Sequence, residues 1–135
     1  MTLKKGTYTR ERLSIVEKKE INKGLNFLSK TNSYDHIQAA VIRNKKLIAY
    51  EKKTGTQHML SKINKVKKKN GFLIKIPKKK QDLRADLPTI GFDTVKYCKK
   101  IGLKGIILKN NKHIILDKTK IIKFSNKHKM ILHIL

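Results

Sequence analysis

The sequence predicts one α/β domain, a mixed β-sheet with helices packed on it, with α+β as the alternative arrangement. Three observations carry that expectation. Short apolar segments of strand length alternate with segments of helical period. No Gly/Ser-rich linker or fixed-period repeat divides the 135 residues. Apolar residues make up 39%, which suits a packed core rather than a disordered basic tail.

Residues 1–13 are polar and read as an extended N-terminal segment, with the domain proper over 14–135. Ser14-Ile15-Val16-Glu17 is a capping box, in which Glu17 reaches back to the Ser14 amide. Ile21, Leu25 and Leu28 then recur on one helical face, and Lys30 suits the C-terminal end of the helix dipole. Thr31–Asp35 reads as a loop. Ile37–Arg43 and Lys46–Tyr50 flank Asn44-Lys45 as a β-hairpin. Thr54-Gly55-Thr56 breaks the strand and opens a helix carrying Met59, Ile63 and Val66, which Asn70-Gly71 ends. Phe72-Leu73-Ile74 begins a strand that stops at Pro77.

Lys78–Gly91 has no periodicity. A helix over about Thr94–Lys100 presents Val95, Cys98 and Ile101 and stops at Gly102. Gly105–Leu108 and His113–Leu116, around Asn110-Asn111, form a second hairpin candidate. Asp117 caps a last helix around Ile121-Ile122, and Met130–Leu135 closes as a strand. The expected core is Leu25, Leu28, Val41, Leu47, Ile63, Ile74, Val95, Ile106, Ile115 and Ile122, each on the apolar side of its segment's period.

Thirty-four Lys and Arg against nine Asp and Glu give a formal charge of +25. Such a field attracts polyanions, whether nucleic acid, anionic headgroups or a diphosphate. Only four of the cations are Arg (Arg10, Arg12, Arg43 and Arg84), and 18 Ile and nine Asn accompany the Lys excess. A Lys-rich surface with few aromatics and no interleaved aromatic-basic motif predicts non-specific, salt-sensitive contact with nucleic acid rather than sequence recognition. A basic RNA-binding or ribosome-associated module is therefore the alternative reading. The run Lys65–Lys69 reads as a solvated helix end. Met1-Thr2-Leu3-Lys4-Lys5 has no apolar run behind it, which predicts a cytoplasmic protein without a secretory leader.

Carboxylates are scarce, so their clustering is informative. Gln81-Asp82-Leu83-Arg84-Ala85-Asp86-Leu87-Pro88-Thr89-Ile90-Gly91 holds two of them and an Arg, directly after Lys78-Lys79-Lys80. Hard carboxylates at a strand end beside cations are the donor set that a Mg²⁺–diphosphate site needs. The alternative is a surface loop in which Asp82 and Asp86 pair with Arg84 and the lysines. Cys98, on an apolar helical face, reads as a small core residue. His36, His58, His113, His128 and His133 lack metal-ligand spacing, and Thr54-Gly55-Thr56 lacks the rest of a phosphate loop.

The segment Gln81–Gly91 with Thr94-Val95 resembles the motif of the LpxI-type UDP-2,3-diacylglucosamine pyrophosphatases. Gln38-Ala39-Ala40-Val41-Ile42, Gly55-Thr56 before Met59-Leu60, Gly102-Leu103-Lys104-Gly105-Ile106 and Leu116-Asp117 match in order and interval, from about residue 7 to the end. The resemblance implies the C-terminal domain of a Mg²⁺-dependent hydrolase that converts UDP-2,3-diacylglucosamine to UMP and lipid X in lipid A synthesis, cytoplasmic or peripheral at the inner membrane. It implies Asp82 and Asp86 as catalytic and metal-binding candidates, with Lys78, Lys80 and Arg84 as phosphate-side helpers by proximity. Partners implied are UDP-2,3-diacylglucosamine or lipid X, a separate N-terminal domain, and a second copy in a homodimer.

Two departures accompany the likeness. Family members carry a further N-terminal α/β domain, with lipid product held between the domains. They also carry Glu-Gly-Thr-Asp where this chain has Thr54-Gly55-Thr56-Gln57, and Gly where it has Ile37. The expectation is a domain weak or inactive alone, as half of a split enzyme, a truncated gene product or an accessory fragment.

Overall fold

The computed structural model describes residues 4–31, 37–52, 54–76, 89–109 and 114–135. The chain is a single mixed α/β domain. The elements in chain order are β1 (Gly6–Thr7), α1 (Ile15–Thr31), β2 (Ala39–Arg43), β3 (Lys46–Tyr50), α2 (Thr56–Ser61), β4 (Phe72–Lys75), β5 (Thr89–Ile90), α3 (Phe92–Ile101), β6 (Gly105–Leu108), β7 (Ile114–Ile115), α4 (Lys118–Lys127) and β8 (Ile131–Ile134). A six-stranded sheet runs β1-β8-β6-β4-β2-β3. Its centre, β4, β6 and β8, is parallel, and β2, β3 and β1 add antiparallel at the two edges.

The central strands are apolar on both faces, as a sheet covered on both sides requires. On one face α1 is the helix that packs among the described residues, burying Ile21 and Leu28 against Ile42, Ile74, Ile107 and Ile131. Gly24 lets α1 approach the sheet closely, because a Cβ there would strike the Ile74 side chain. On the other face α2, α3 and α4 bury Met59, Leu60, Val95, Cys98, Ile101 and Ile121 against Val41, Leu73, Ile106, Leu108 and Leu132.

Local chemistry explains the boundaries. The capping box forms as expected: the Ser14 amide donates to Glu17 Oε1 at 2.9 Å and the Glu17 amide to Ser14 Oγ at 3.1 Å. Glu17 also receives Lys104 Nζ at 2.5 Å, which ties the start of α1 to the β6 entry. The Asn44-Lys45 turn has both residues at positive φ, the twist a two-residue hairpin demands. Gly102 ends α3 at φ 86°, a left-handed cap open to glycine at little cost.

Several expectations are corrected. Gly105–Leu108 and Ile114–Ile115 do not form a hairpin. Both edges of β6 are already paired, to β4 and β8, so β7 pairs parallel with β5 in a separate two-stranded sheet. Helix α2 ends at Ser61 rather than near Asn70. Four lysines in five positions oppose a continued helix, and tertiary partners take up the following backbone. The Val66 amide donates to Ile101 O, the Asn70 amide to Gly102 O, and Arg43 donates to Asn64 O and Asn70 O.

Asp117 occupies the N-cap position of α4, but its side chain makes no capping bond. Its left-handed φ of 53° departs from the extended geometry such caps use. Of the expected core, Leu28, Val41, Ile74, Val95 and Ile106 are buried, whereas Leu25, Ile63, Ile115 and Ile122 are half-buried. Leu47 is 36% exposed because β3 is an edge strand. Leu73→Ala should therefore cost about 2–5 kcal/mol in urea unfolding and Leu47→Ala under about 0.5 kcal/mol. Equal losses at the two positions would contradict this layering. The loop expected at 31–35 falls almost wholly outside the described residues.

Candidate functional site

The parallel strands β4, β6 and β8 end in register at Lys75, Leu108 and Ile134. In sheets of this kind, ligands bind beyond the carboxyl ends of the strands. The segment that leaves β4 at this edge and returns at β5 contains Lys78, Lys80, Asp82, Arg84 and Asp86. All five lie outside the described residues. What the structure describes is the ground on which that segment begins and ends.

That ground is polar and buried. Ala39 on β2 faces the α2–α4 side, with Lys75 as its partner on β4 and Glu51, past the end of β3, donating its amide to Ala39 O at 2.8 Å. Strand alternation puts Glu51 and Lys75 on the face of Ala39, one on each side of it. Both side chains therefore leave the sheet on the α2–α4 side, flanking the small Ala39. Glu51 is 7% exposed and Lys75 6%.

Thr56, in the first turn of α2, donates its hydroxyl to Glu51 Oε1 at 3.0 Å, while Glu51 Oε2 is buried with no hydrogen-bond partner among the described residues. Lys75 Nζ donates to the carbonyl of Thr89 at 3.5 Å. Burial pushes the Lys75 ammonium below its ordinary range, with the Glu51 carboxylate and Cys98 opposing. Beneath it Cys98 is fully buried, and burial pushes its thiol up to about 12. A protonated thiol of this kind is a packing group, as expected, and not a nucleophile.

Around this core, Gln57 Nε2 reaches Thr94 Oγ1 at 3.4 Å and links the first turns of α2 and α3. Beside that link lies an open cleft of about 600 Å³ between α3 and α4, lined by Gln57, Asp93, Tyr97 and Phe124 with Lys96, Lys99 and Lys100. A more apolar groove of about 500 Å³ lies along β3 and α2, lined by Leu47, Ile48, Tyr50 and Met59 with Lys52 and Lys62. Both combine cations with apolar or aromatic walls, the surface an amphiphilic anion would meet.

Residues 4–133 match the LpxI C-terminal domain family. The chain belongs to that family. It is also 28% identical, over 130 residues, to the UDP-2,3-diacylglucosamine pyrophosphatase LpxI of Caulobacter vibrioides. That alignment takes in 90% of this chain and 46% of the relative, so this LpxI C-terminal domain spans about half the length of the curated relative it matches.

Within the LpxI C-terminal domain, spacing points to the acids of 82–86 and not to Glu51 or Lys75. Both carried a legible sign. Lys75 interrupts the apolar run Phe72-Leu73-Ile74-Lys75-Ile76, and Glu51 follows Ala49 at the two-residue spacing of one strand face. His58 is exposed, while His133 Nδ1 lies 2.7 Å from Thr7 Oγ1 and is held below its usual range by burial and by Lys18. His36 and His113 lie outside the described residues. Among those residues no helix is long and apolar enough to cross a membrane.

Proposed function

We propose that this domain is the catalytic half of a Mg²⁺-dependent hydrolase acting on UDP-2,3-diacylglucosamine. Water adds across the diphosphate, one P–O bond forming as another breaks, to leave UMP and lipid X. The observation that carries the reading is the family match over 4–133, joined to a C. vibrioides relative named for that diphosphate substrate. The topology supports it, since the acid-bearing segment departs from the carboxyl edge of β4. We place the reaction in the cytoplasm, with peripheral contact at the inner membrane.

The donor set fits a hard divalent cation. Asp82 and Asp86 are carboxylates four residues apart, and Glu51 adds a buried oxygen, without a partner among the described residues, at the edge where their segment begins. Mg²⁺ held there would neutralise charge on the diphosphate. Asp82 and Asp86 are assigned as its ligands and as the essential acids. Lys78, Lys80 and Arg84 are assigned to the phosphate oxygens, with Arg84 able to engage two at once.

A second reading rests on Thr54 and Gln57, where the family pattern has acids. Gln57 engages Thr94 rather than an ion. Under that reading the domain is an accessory piece. The assay is UMP release from UDP-2,3-diacylglucosamine with Mg²⁺, by this chain alone and with a separately expressed LpxI N-terminal domain. Positioning of both substrate halves can be worth about 7–11 kcal/mol of barrier, so little turnover is expected alone and clear turnover with the partner. Rapid hydrolysis by the chain alone would remove the need for a second domain, and none in either case would favour the accessory reading.

A further inference from the structure

Lys75 sits at the end of a strand covered on both faces, where a cation is costly and an aliphatic residue would fill the space more cheaply. Among the described residues, Ala39 is its small partner on β2, the Glu51 carboxylate opposes the cost of burying its charge, and Thr56 fixes Glu51 from α2. The ammonium then reaches the carbonyl of Thr89, 14 positions further along the chain.

Thr89 begins β5, which pairs with β7 and not with the large sheet. The Lys75–Thr89 contact therefore joins two separately hydrogen-bonded sheets. It also joins the last residue of β4 to the first residue of β5, the two strands that flank the segment holding Lys78, Asp82, Arg84 and Asp86.

We propose that Lys75, through its contact with the carbonyl of Thr89, is a positioning residue that fixes the spacing between the two ends of the acid-bearing segment. The proposal rests on the hydrolase reading for its consequence in catalysis, but the tie itself does not. Ile90 is buried in the same core as Leu73, so apolar packing brings β5 to the large sheet. Apolar packing sets proximity loosely, whereas an ammonium on a carbonyl sets which residue of β5 lies opposite β4.

The experiment uses Lys75→Met, Lys75→Arg and the double change Glu51→Gln/Lys75→Met in the full chain, with two readouts. The first is hydrogen exchange at the Leu116 amide, which donates to Ile90 O at 2.9 Å and reports on β5. The second is the Mg²⁺ concentration giving half-maximal UMP release, measured with the N-terminal domain added. Lys75→Met should raise exchange at Leu116 and the half-maximal Mg²⁺ each by about tenfold, while the nucleotide KM stays within about twofold; these expected sizes follow from losing one charge-assisted contact.

Lys75→Arg should restore most of both losses. The double change should recover thermal stability, since no charge is left unpaired, without restoring slow exchange at Leu116. Should Lys75→Met fail to fold, Lys75→Gln decides the question on the same two readouts. Unchanged Leu116 exchange in a folded Lys75→Met or Lys75→Gln protein, or full recovery of slow Leu116 exchange in the double variant, would overturn the proposal. If the parent protein releases no UMP under any condition, the hydrolase reading fails by itself, and the exchange measurement still accepts or rejects the tie.

Discussion

Arg43→Met should destabilise the domain by about 3–5 kcal/mol, read as a lower urea midpoint at constant slope. Arg43 ends β2 and is buried, and its guanidinium serves three backbone carbonyls at once. Nε donates to Asn70 O at 3.0 Å, Nη1 to Asn64 O at 2.9 Å and Nη2 to Ile101 O at 2.9 Å. Those carbonyls belong to the irregular stretch after α2 and to the last turn of α3. Methionine fills the stem's volume but takes the donor from Asn64 O and Asn70 O and leaves Ile101 O to the Val66 amide alone. Lysine should recover little, because one ammonium cannot reproduce a planar fork. A loss below about 1 kcal/mol would mean that water can replace the guanidinium.

Asp82→Asn and Asp86→Asn should each lower UMP release by about 10²–10³-fold, the scale of removing one charge-stabilising group from an active site. The thermal midpoint should stay nearly unchanged, since the proposal gives these acids to a cation and substrate rather than to the fold. The measurement pairs the UMP assay, with the N-terminal domain present, with a thermal scan of each variant. Retained activity with a midpoint several degrees lower would mark them instead as ion-pair partners of Arg84 and the neighbouring lysines.

Much of the fold was legible because its elements announce themselves locally. Ser14 and Glu17 satisfy each other's amides within a single turn, and Asn44-Lys45 can reverse a chain between two apolar runs. Gly102 supplies a left-handed residue where Cys98 and Ile101 complete a helical face. The pairing of β5 with β7 was not legible. Two-residue strands are too short to show a period, and their partnership is decided by which edges of the large sheet are already taken. Leu47 misled for a related reason, since alternation shows that a strand has an inner face but not that the strand lies at the rim. At the candidate site, the acids of 82–86 stood out by scarcity. The Glu51–Lys75 pair became meaningful only once Ala39 was known to lie between them, which is a property of strand order.

The outermost strand on the β8 side is β1, so Thr7 pairs with His133 across nearly the whole length of the chain. Each rung of that ladder joins the most distant sequence neighbours available, which places it among the slowest contacts to form. On a ribosome, Gly6 and Thr7 wait exposed while α1 and the β2–β3 hairpin form, and they are enrolled only after Ile131–Ile134 has emerged. The polypeptide thus enters and leaves the domain along one rim. A neighbour fused before Gly6 and one fused after Ile134 would compete for the same flank, and the opposite rim, at β3, would stay clear of both.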